Sequence, residues 1–280
     1  MIVYLNGEFL PLEEAKISVL DRGFIYGDGV YELVPVYGRE PFRLAQHLAR
    51  LQHSLDGIRL VNPHTAEEWE RLIRRLIAGQ PFDDQGVYFQ LTRGVARRDH
   101  AFPANVAPTV FMMSNPLPTP SAAQVEGGVA VVTAEDNRWQ RCDLKTISLL
   151  GNVLMRQLAV DAGAIETVMF RDGYLTEASA SNVLVVIDGV IVAPPRDHLI
   201  LPGITYGAAI EFAREAGLPF SIRPVTHGEA FAAGEMWLSS STKEVLAVTT
   251  VDGAPFGNGR PGPVFRRVHA LYQAHKPHAR

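Results

Sequence analysis

A mixed α/β chain in two domains is what the sequence predicts, and three observations carry that expectation. Strand-like and helix-like stretches run throughout without strict alternation, which argues against a doubly wound parallel sheet. A proline-rich run, Asn115-Pro116-Leu117-Pro118-Thr119-Pro120, reads as a link. It divides a small N-terminal α/β domain (1–114) from a larger C-terminal domain (121–280), with 115–120 as the linker. The 280 residues, 47% hydrophobic and 20% charged, suffice for two modest globular units.

Residues 2–5 alternate weakly and stop at Asn6-Gly7, a hairpin signal. Gly23, Gly27 and Gly29 then crowd a short segment before a strand over Val30 to Tyr37. Leu44, Leu48, Leu51, Leu55 and Ile58 recur at helical spacing, with Arg50 beside the stripe. Trp69, Leu72, Ile73, Leu76 and Ile77 mark a second helix, stopped by Gly79. Val87 to Arg93 and Thr109 to Met113 are β-rich, separated by the loop 94–103. Beyond the link come a strand at Val129 to Ala134, a charged loop, and a helix from Ser148 to Ala162. Asp172-Gly173 and Asp188-Gly189 turn two more hairpins. Gly203-Ile204-Thr205 opens a helix ending near Gly217. Strands at Phe220 to Pro224, Met236 to Ser239 and Val245 to Val248 follow, then a final helix from Pro263 to Ala274.

A formal net charge of -4 gives no electrostatic reason to expect nucleic acid or a membrane surface as partner. Cys142 is the only cysteine, so neither an intrachain disulfide nor a cysteine-based metal cluster is expected. The nine histidines are scattered, and no metal centre is expected either. The chain shows no signal-like start and no long apolar run, which reads as a soluble cytoplasmic protein. The glycines at 23–29 are not a Walker loop, since no Gly-Lys-Ser/Thr follows, and they precede a strand where a dinucleotide fingerprint opens a helix.

The chemistry centres on Arg138-Trp139-Gln140-Arg141-Cys142-Asp143-Leu144-Lys145-Thr146. Only four of the 26 Lys and Arg residues are lysines, so a lysine in this arginine-bearing loop asks for a reason beyond its charge. Desolvation and neighbouring cations disfavour a lysine's ammonium form and make it a usable nucleophile. Anion-binding features accompany it. Arg50 can reach out from its helix, Ile204 and Thr205 sit at a helix start, and Ser239-Ser240-Ser241-Thr242 offers four hydroxyls. Glu177, in Thr176-Glu177-Ala178-Ser179-Ala180-Ser181-Asn182, is the candidate acid. A lysine, a phosphate cup and an acid fit pyridoxal phosphate.

At these residues the chain resembles the fold-type IV pyridoxal-phosphate enzymes, and among them it is similar to the D-amino acid transaminases. The resemblance runs nearly end to end. It covers Asp21-Arg22-Gly23, Gly27 to Glu32, Tyr88 to Gly94, Arg138-Trp139, Arg141 to Lys145, Glu177 to Asn182, and Leu201 with Gly203-Ile204-Thr205. It implies the two-domain fold-type IV architecture, with pyridoxal 5'-phosphate bound by the C-terminal domain. By resemblance, Lys145 would form the imine with the cofactor and move the proton. Glu177 would face the pyridine nitrogen, Leu201 would lie at the cofactor, and Arg50, Ile204, Thr205, Ser240 and Ser241 would hold the phosphate. Tyr31, Arg98 and His100 match the family's trap for the substrate α-carboxylate. There the loop bearing the last two comes from the partner subunit, which implies a homodimer. The implied reaction is D-alanine plus 2-oxoglutarate to pyruvate plus D-glutamate. A branched-chain L-aminotransferase or an aminodeoxychorismate lyase is the alternative. Leu184, Ala193 and Tyr206 stand where family members usually carry an aromatic residue, a threonine and an arginine.

Overall fold

The computed structural model describes residues 1–277. Its contacts separate two units, one built from Met1–Leu117 and Leu144–Leu149, the other from Pro118–Asp143 and Leu150–Lys276.

In the first unit, β1 (Ile2–Leu5) and β2 (Glu8–Pro11) form a hairpin whose turn residues Asn6 and Gly7 have φ of 49° and 105°. Those left-handed values are the ones an Asn-Gly pair adopts at little cost. The short helix α1 (Arg22–Tyr26) follows, capped by the Asp21 carboxylate, which accepts from the Gly23 amide. Then come β3 (Gly29–Tyr37), β4 (Glu40–Pro41), α2 (Leu44–Gly57), α3 (Ala66–Ala78), β5 (Gln85–Thr92) and β6 (Thr109–Pro116). The sheet order is β2-β1-β6-β5-β3-β4, antiparallel throughout. Thr65 and Glu68 make a reciprocal capping box at the start of α3. From there Trp69, Ile73, Leu76 and Ile77 turn inward with Leu51 and Leu55 of α2. They meet Val30, Val34, Val87, Phe89 and Leu91 of the sheet, the core that period-3.6 and period-2 patterning anticipates.

The second unit begins with α4 (Ala122–Gly127), β7 (Val129–Glu135), α5 (Leu150–Asp161), β8 (Glu166–Arg171), β9 (Tyr174–Ala178), β10 (Asn182–Ile187) and β11 (Val190–Ala193). It continues with α6 (Ile204–Glu215), β12 (Phe220–Ile222), α7 (His227–Ala232), β13 (Glu235–Ser240), β14 (Glu244–Val251), β15 (Ala254–Pro255) and α8 (Pro263–His275). The sheet runs β12-β11-β10-β13-β14-β7-β8-β9, with β15 on β14. Its pairs β7/β8, β7/β14 and β11/β12 are parallel and the others antiparallel, so the sheet is mixed. Val168, Val183, Val185, Met236, Leu238 and Leu246 lie in its core.

Two features depart from the sequence reading. The helix expected from Ser148 begins at Leu150, and it buries Met155 and Ala159. Its large apolar residues Leu150, Val153, Leu154 and Leu158 are 45–72% exposed at i, i+3, i+4 and i+8. The apolar periodicity there marks an outward face. The short helices α4 and α7 went unread, although Ser121-x-x-Gln124 and Thr226-x-x-Glu229 are capping boxes visible in the sequence. No helix among the described residues is long and apolar enough to cross a membrane.

Candidate active site

Lys145 is presented by backbone pairing. Its carbonyl accepts from the Tyr31 amide at 2.9 Å, and the Ile147 amide donates to the Gly29 carbonyl at 3.1 Å. The Ser54 hydroxyl of α2 accepts from the Lys145 amide at 3.0 Å. The segment thus lies as a short extra strand along the start of β3. A Cβ at Gly57 would come within 2.4 Å of Leu144, so the bare end of α2 is what admits this segment. The half-buried side chain of Lys145 places Nζ 4.1 Å from the centre of the Tyr31 ring.

The residue after Tyr31 points to the opposite face of β3. Glu32 is fully buried, accepting from Arg50 Nε at 2.7 Å, Arg50 Nη2 at 2.9 Å and His47 Nδ1 at 2.8 Å. Burial alone would raise its pKa, but the adjacent Arg50 and His47 hold it well below the carboxylate range. The His47 pKa is lowered as well, but by burial, which outweighs the raising effect of Glu32. Glu32 therefore fixes the plane of the Arg50 guanidinium. Neither Glu32 nor His47 was identified from the sequence. The available signal was a charge in the buried phase of β3, among Val30, Val34 and Val36, facing His47-x-x-Arg50 on one helix face.

Arg98 and His100 lie on an exposed loop tied to α1. Arg22 is buried and pairs with Asp28 at 2.7 Å, while its Nη1 donates to the Asp99 carbonyl at 2.5 Å and the Ala101 carbonyl at 3.3 Å. Arg93 grips the same Asp28, at 2.9 Å. Burial alone would raise the Asp28 pKa, but hydrogen bonds from Arg93 and Arg22 hold it below its ordinary value. Arg98 and His100 both flank the Tyr26 ring, at 5.5 and 5.4 Å. Tyr31 instead stacks near Tyr88, at 5.5 Å, and makes no hydrogen bond or ring contact with Arg98 or His100 among the described residues.

In the second unit Glu177 is the penultimate residue of β9, buried, with three donors on its carboxylate. They are Arg138 Nη1 at 2.7 Å, Asn182 Nδ2 at 3.0 Å and the Leu201 amide at 3.1 Å. Burial nevertheless pushes its pKa up to about 7. Arg138 offsets only part of that burial, and it also gives Nε and Nη2 to Asp136, both at 2.9 Å. Asn182 also donates to the Leu201 carbonyl at 2.8 Å. A Cβ on Gly203 would sit 1.9 Å from the Asn182 amide oxygen, so glycine is required beside that contact. Gly203 caps α6 without a side chain, leaving the Ile204 and Thr205 end of the helix as a bare positive pole.

Asn182 pairs in register with Ser239 of β13, whose hydroxyl is buried without a partner among the described residues. The Ser240 hydroxyl, next along, accepts from the Lys243 amide at 3.1 Å. Below this corner, Glu166 accepts from Ser181 at 2.7 Å, from the Ala180 amide at 3.3 Å and from the Ser179 hydroxyl, and it pairs with Lys243 Nζ at 2.9 Å. That cluster fixes the turn between Glu177 and Asn182, and it too went unread. The three departures from the family pattern lie in the interior. Leu184 and Ala193 are fully buried, and Tyr206 donates to the Pro194 carbonyl at 2.9 Å.

An uncapped helix start, neighbouring hydroxyls including an orphaned one, and a buried acid suit a group carrying a phosphate and a basic ring nitrogen. The first unit, for its part, presents the amine of Lys145 beside the Tyr31 ring. The profile of the family described as Amino-transferase class IV matches residues 29–251. The D-alanine aminotransferase of Bacillus licheniformis is 37% identical over 273 residues, 98% of this chain and 96% of that protein. The D-alanine aminotransferase of Staphylococcus aureus (strain N315) is 37% identical over 272 residues, 97% and 96% of the two chains. Among solved structures, the Escherichia coli branched-chain amino acid aminotransferase superposes with a TM-score of 0.93 at 26% identity, covering 98% of this chain and 94% of that one. The T.th. branched-chain amino acid aminotransferase with pyridoxamine 5'-phosphate gives 0.91 at 27% identity, covering 97% and 92%. The chain belongs to the class IV aminotransferase family.

Proposed function

We propose that the protein is a pyridoxal 5'-phosphate-dependent transaminase of D-amino acids, converting D-alanine and 2-oxoglutarate to pyruvate and D-glutamate. The observation that carries this reading is 37% identity to D-alanine aminotransferases along nearly the whole chain. When bound, the cofactor supplies an aldehyde that condenses with amines and a ring that draws electrons from the substrate α-carbon. Lys145 Nζ would hold the cofactor's aldehyde carbon and carry the α-proton. Glu177 holds the proton of the ring nitrogen, with Arg138 and Asn182 orienting the carboxylate and Leu201 giving it a backbone donor. Ile204, Thr205, Ser240 and Ser241 hold the phosphate, as does Arg50, whose orientation Glu32 sets. Tyr31, Arg98 and His100 grip the α-carboxylate, and where that group is held decides which mirror image presents its proton to the lysine.

The reading includes a homodimer, in which the loop of Arg98 and His100 serves the partner's site. The outward apolar stripe of α5 supports it, because a contiguous exposed apolar face calls for a cover. It also includes a cytoplasmic location. The likeness to branched-chain aminotransferase structures favours a second reading, transamination of branched-chain L-amino acids. One experiment separates them. The yellow holoenzyme should bleach to a shorter-wavelength band with D-alanine and recover with 2-oxoglutarate, and L-leucine should do neither. Bleaching by L-leucine alone would select the second reading. Pyruvate release from aminodeoxychorismate without any acceptor acid would point to a lyase.

A further inference from the structure

Tyr26 closes α1, and its hydroxyl oxygen is buried without a hydrogen-bond partner among the described residues. Buried polar atoms are nearly always paired, so such an orphan marks a position where a partner from outside the chain is accommodated. Its surroundings define that partner's charge. The guanidinium of Arg22 lies 4.9 Å from the ring centre, that of Arg98 5.5 Å, and the His100 ring 5.4 Å. Arg22 is neutralised by Asp28 and by the carbonyls of Asp99 and Ala101. Arg98 and His100 make no ion pair among the described residues. An unpaired hydroxyl donor therefore shares a patch with a guanidinium and an imidazole; the Asp99 carboxylate between them accepts from the Ala101 amide at 3.1 Å, and no carboxylate pairs with either among the described residues.

We propose that the Tyr26 hydroxyl is a further carboxylate-binding group, donating to the same substrate carboxylate that Arg98 and His100 grip. The inference rests on the reading of those two residues as the trap. Arg98 attracts any small anion, whereas a neutral O–H on a ring fixed at the end of a helix adds a directional requirement. The patch also holds its shape. Arg22 ties the backbone on both sides of His100, its amide donates to the Gly94 carbonyl at 2.9 Å, and Asp21 bridges to Val95. Tyr26, Arg98 and His100 consequently act on one ligand, whichever protomer's site they serve.

The test is Tyr26→Phe in the holoenzyme, which removes one oxygen and keeps the ring beneath Arg98 and His100. A hydrogen bond to a charged acceptor is worth roughly tenfold in affinity. The KM for D-alanine and for pyruvate should each rise about tenfold, with kcat changed less than about twofold. Competitive inhibition by propionate should weaken by the same factor. D-alaninamide, whose carboxylate is replaced by a neutral amide, should lose far less in the amine half-reaction. Unchanged KM values, or equal losses on D-alanine and D-alaninamide, would overturn the proposal. Arg98→Ala is measured alongside. If it raises KM and Tyr26→Phe does not, the trap stands and this inference alone fails; if neither raises KM, the trap itself is misassigned.

Discussion

Replacing Glu177 by glutamine should reverse part of the pH dependence of stability in the apoprotein. Most carboxylates with cationic neighbours have a lowered native pKa, so they stabilise the fold above it. Glu177 is the opposite case, because burial outweighs the one Arg138 donor that Asp136 leaves to it, raising the pKa from 4.5 to about 7. Between those values the native chain keeps a proton that the unfolded chain has released, and stability falls as pH rises through that window. At 1.36 kcal/mol for each pH unit, the loss integrates to about 3 kcal/mol between pH 4 and pH 8. Glutamine carries no proton to release; its amide oxygen can keep the Asn182 and Leu201 donors, and its amide nitrogen then faces Arg138, a cost that shifts the whole curve without changing its pH dependence. Urea unfolding of the cofactor-free wild type and Glu177→Gln at several pH values measures the effect. The two stability curves should diverge above pH 5, the variant gaining about 3 kcal/mol relative to the wild type by pH 8. Curves that stay parallel from pH 4 to pH 8 would refute the claim that Glu177 is poised by desolvation.

Two further substitutions test what supports the candidate site. Glu32→Ala leaves the Arg50 guanidinium buried without its carboxylate and should lower stability by ~3–5 kcal/mol in urea unfolding; a loss below about 1 kcal/mol would mean that solvent reaches Arg50. Gly203→Ala drives a methyl into the Asn182 amide oxygen, which must swing away and drop its bonds to Glu177 and Leu201. The strain should cost about 1–3 kcal/mol and weaken pyridoxal phosphate binding in a fluorescence titration, so unaltered affinity would count against Asn182 as the orienting residue.

Much of the fold was legible because its signals are local. The turns at Asn6-Gly7, Asp172-Gly173 and Asp188-Gly189 all have the left-handed φ that those pairs announce. The apolar stripe of α3 gave its buried residues almost one for one. Periodicity failed at α5, because it reports an apolar face without saying whether the chain's own core or another molecule covers it. At the candidate site, motif resemblance supplied residue names but not the groups that position them. Glu32 meets His47 and Arg50 from 15 and 18 residues away, and Arg22 reaches Asp99 across 77. Such pairings depend on which strands become neighbours, and no short window of sequence contains that information. The orphaned hydroxyl of Tyr26 was hidden for the same reason, since a tyrosine after a glycine-rich stretch looks like ordinary packing until its neighbours are known.

The strip Leu144–Leu149 belongs to the first unit although the chain has by then already entered the second. During synthesis, the edge residues Gly29 and Tyr31 must wait for more than a hundred further residues before their backbone partners at Lys145 and Ile147 emerge. A fragment stopped at the proline-rich link would lack that strip, leaving β3 with an open end and α2 with an empty notch at Gly57. The amine is thus synthesised well after the strands that receive it, and expressing the first unit alone requires grafting those six residues back in.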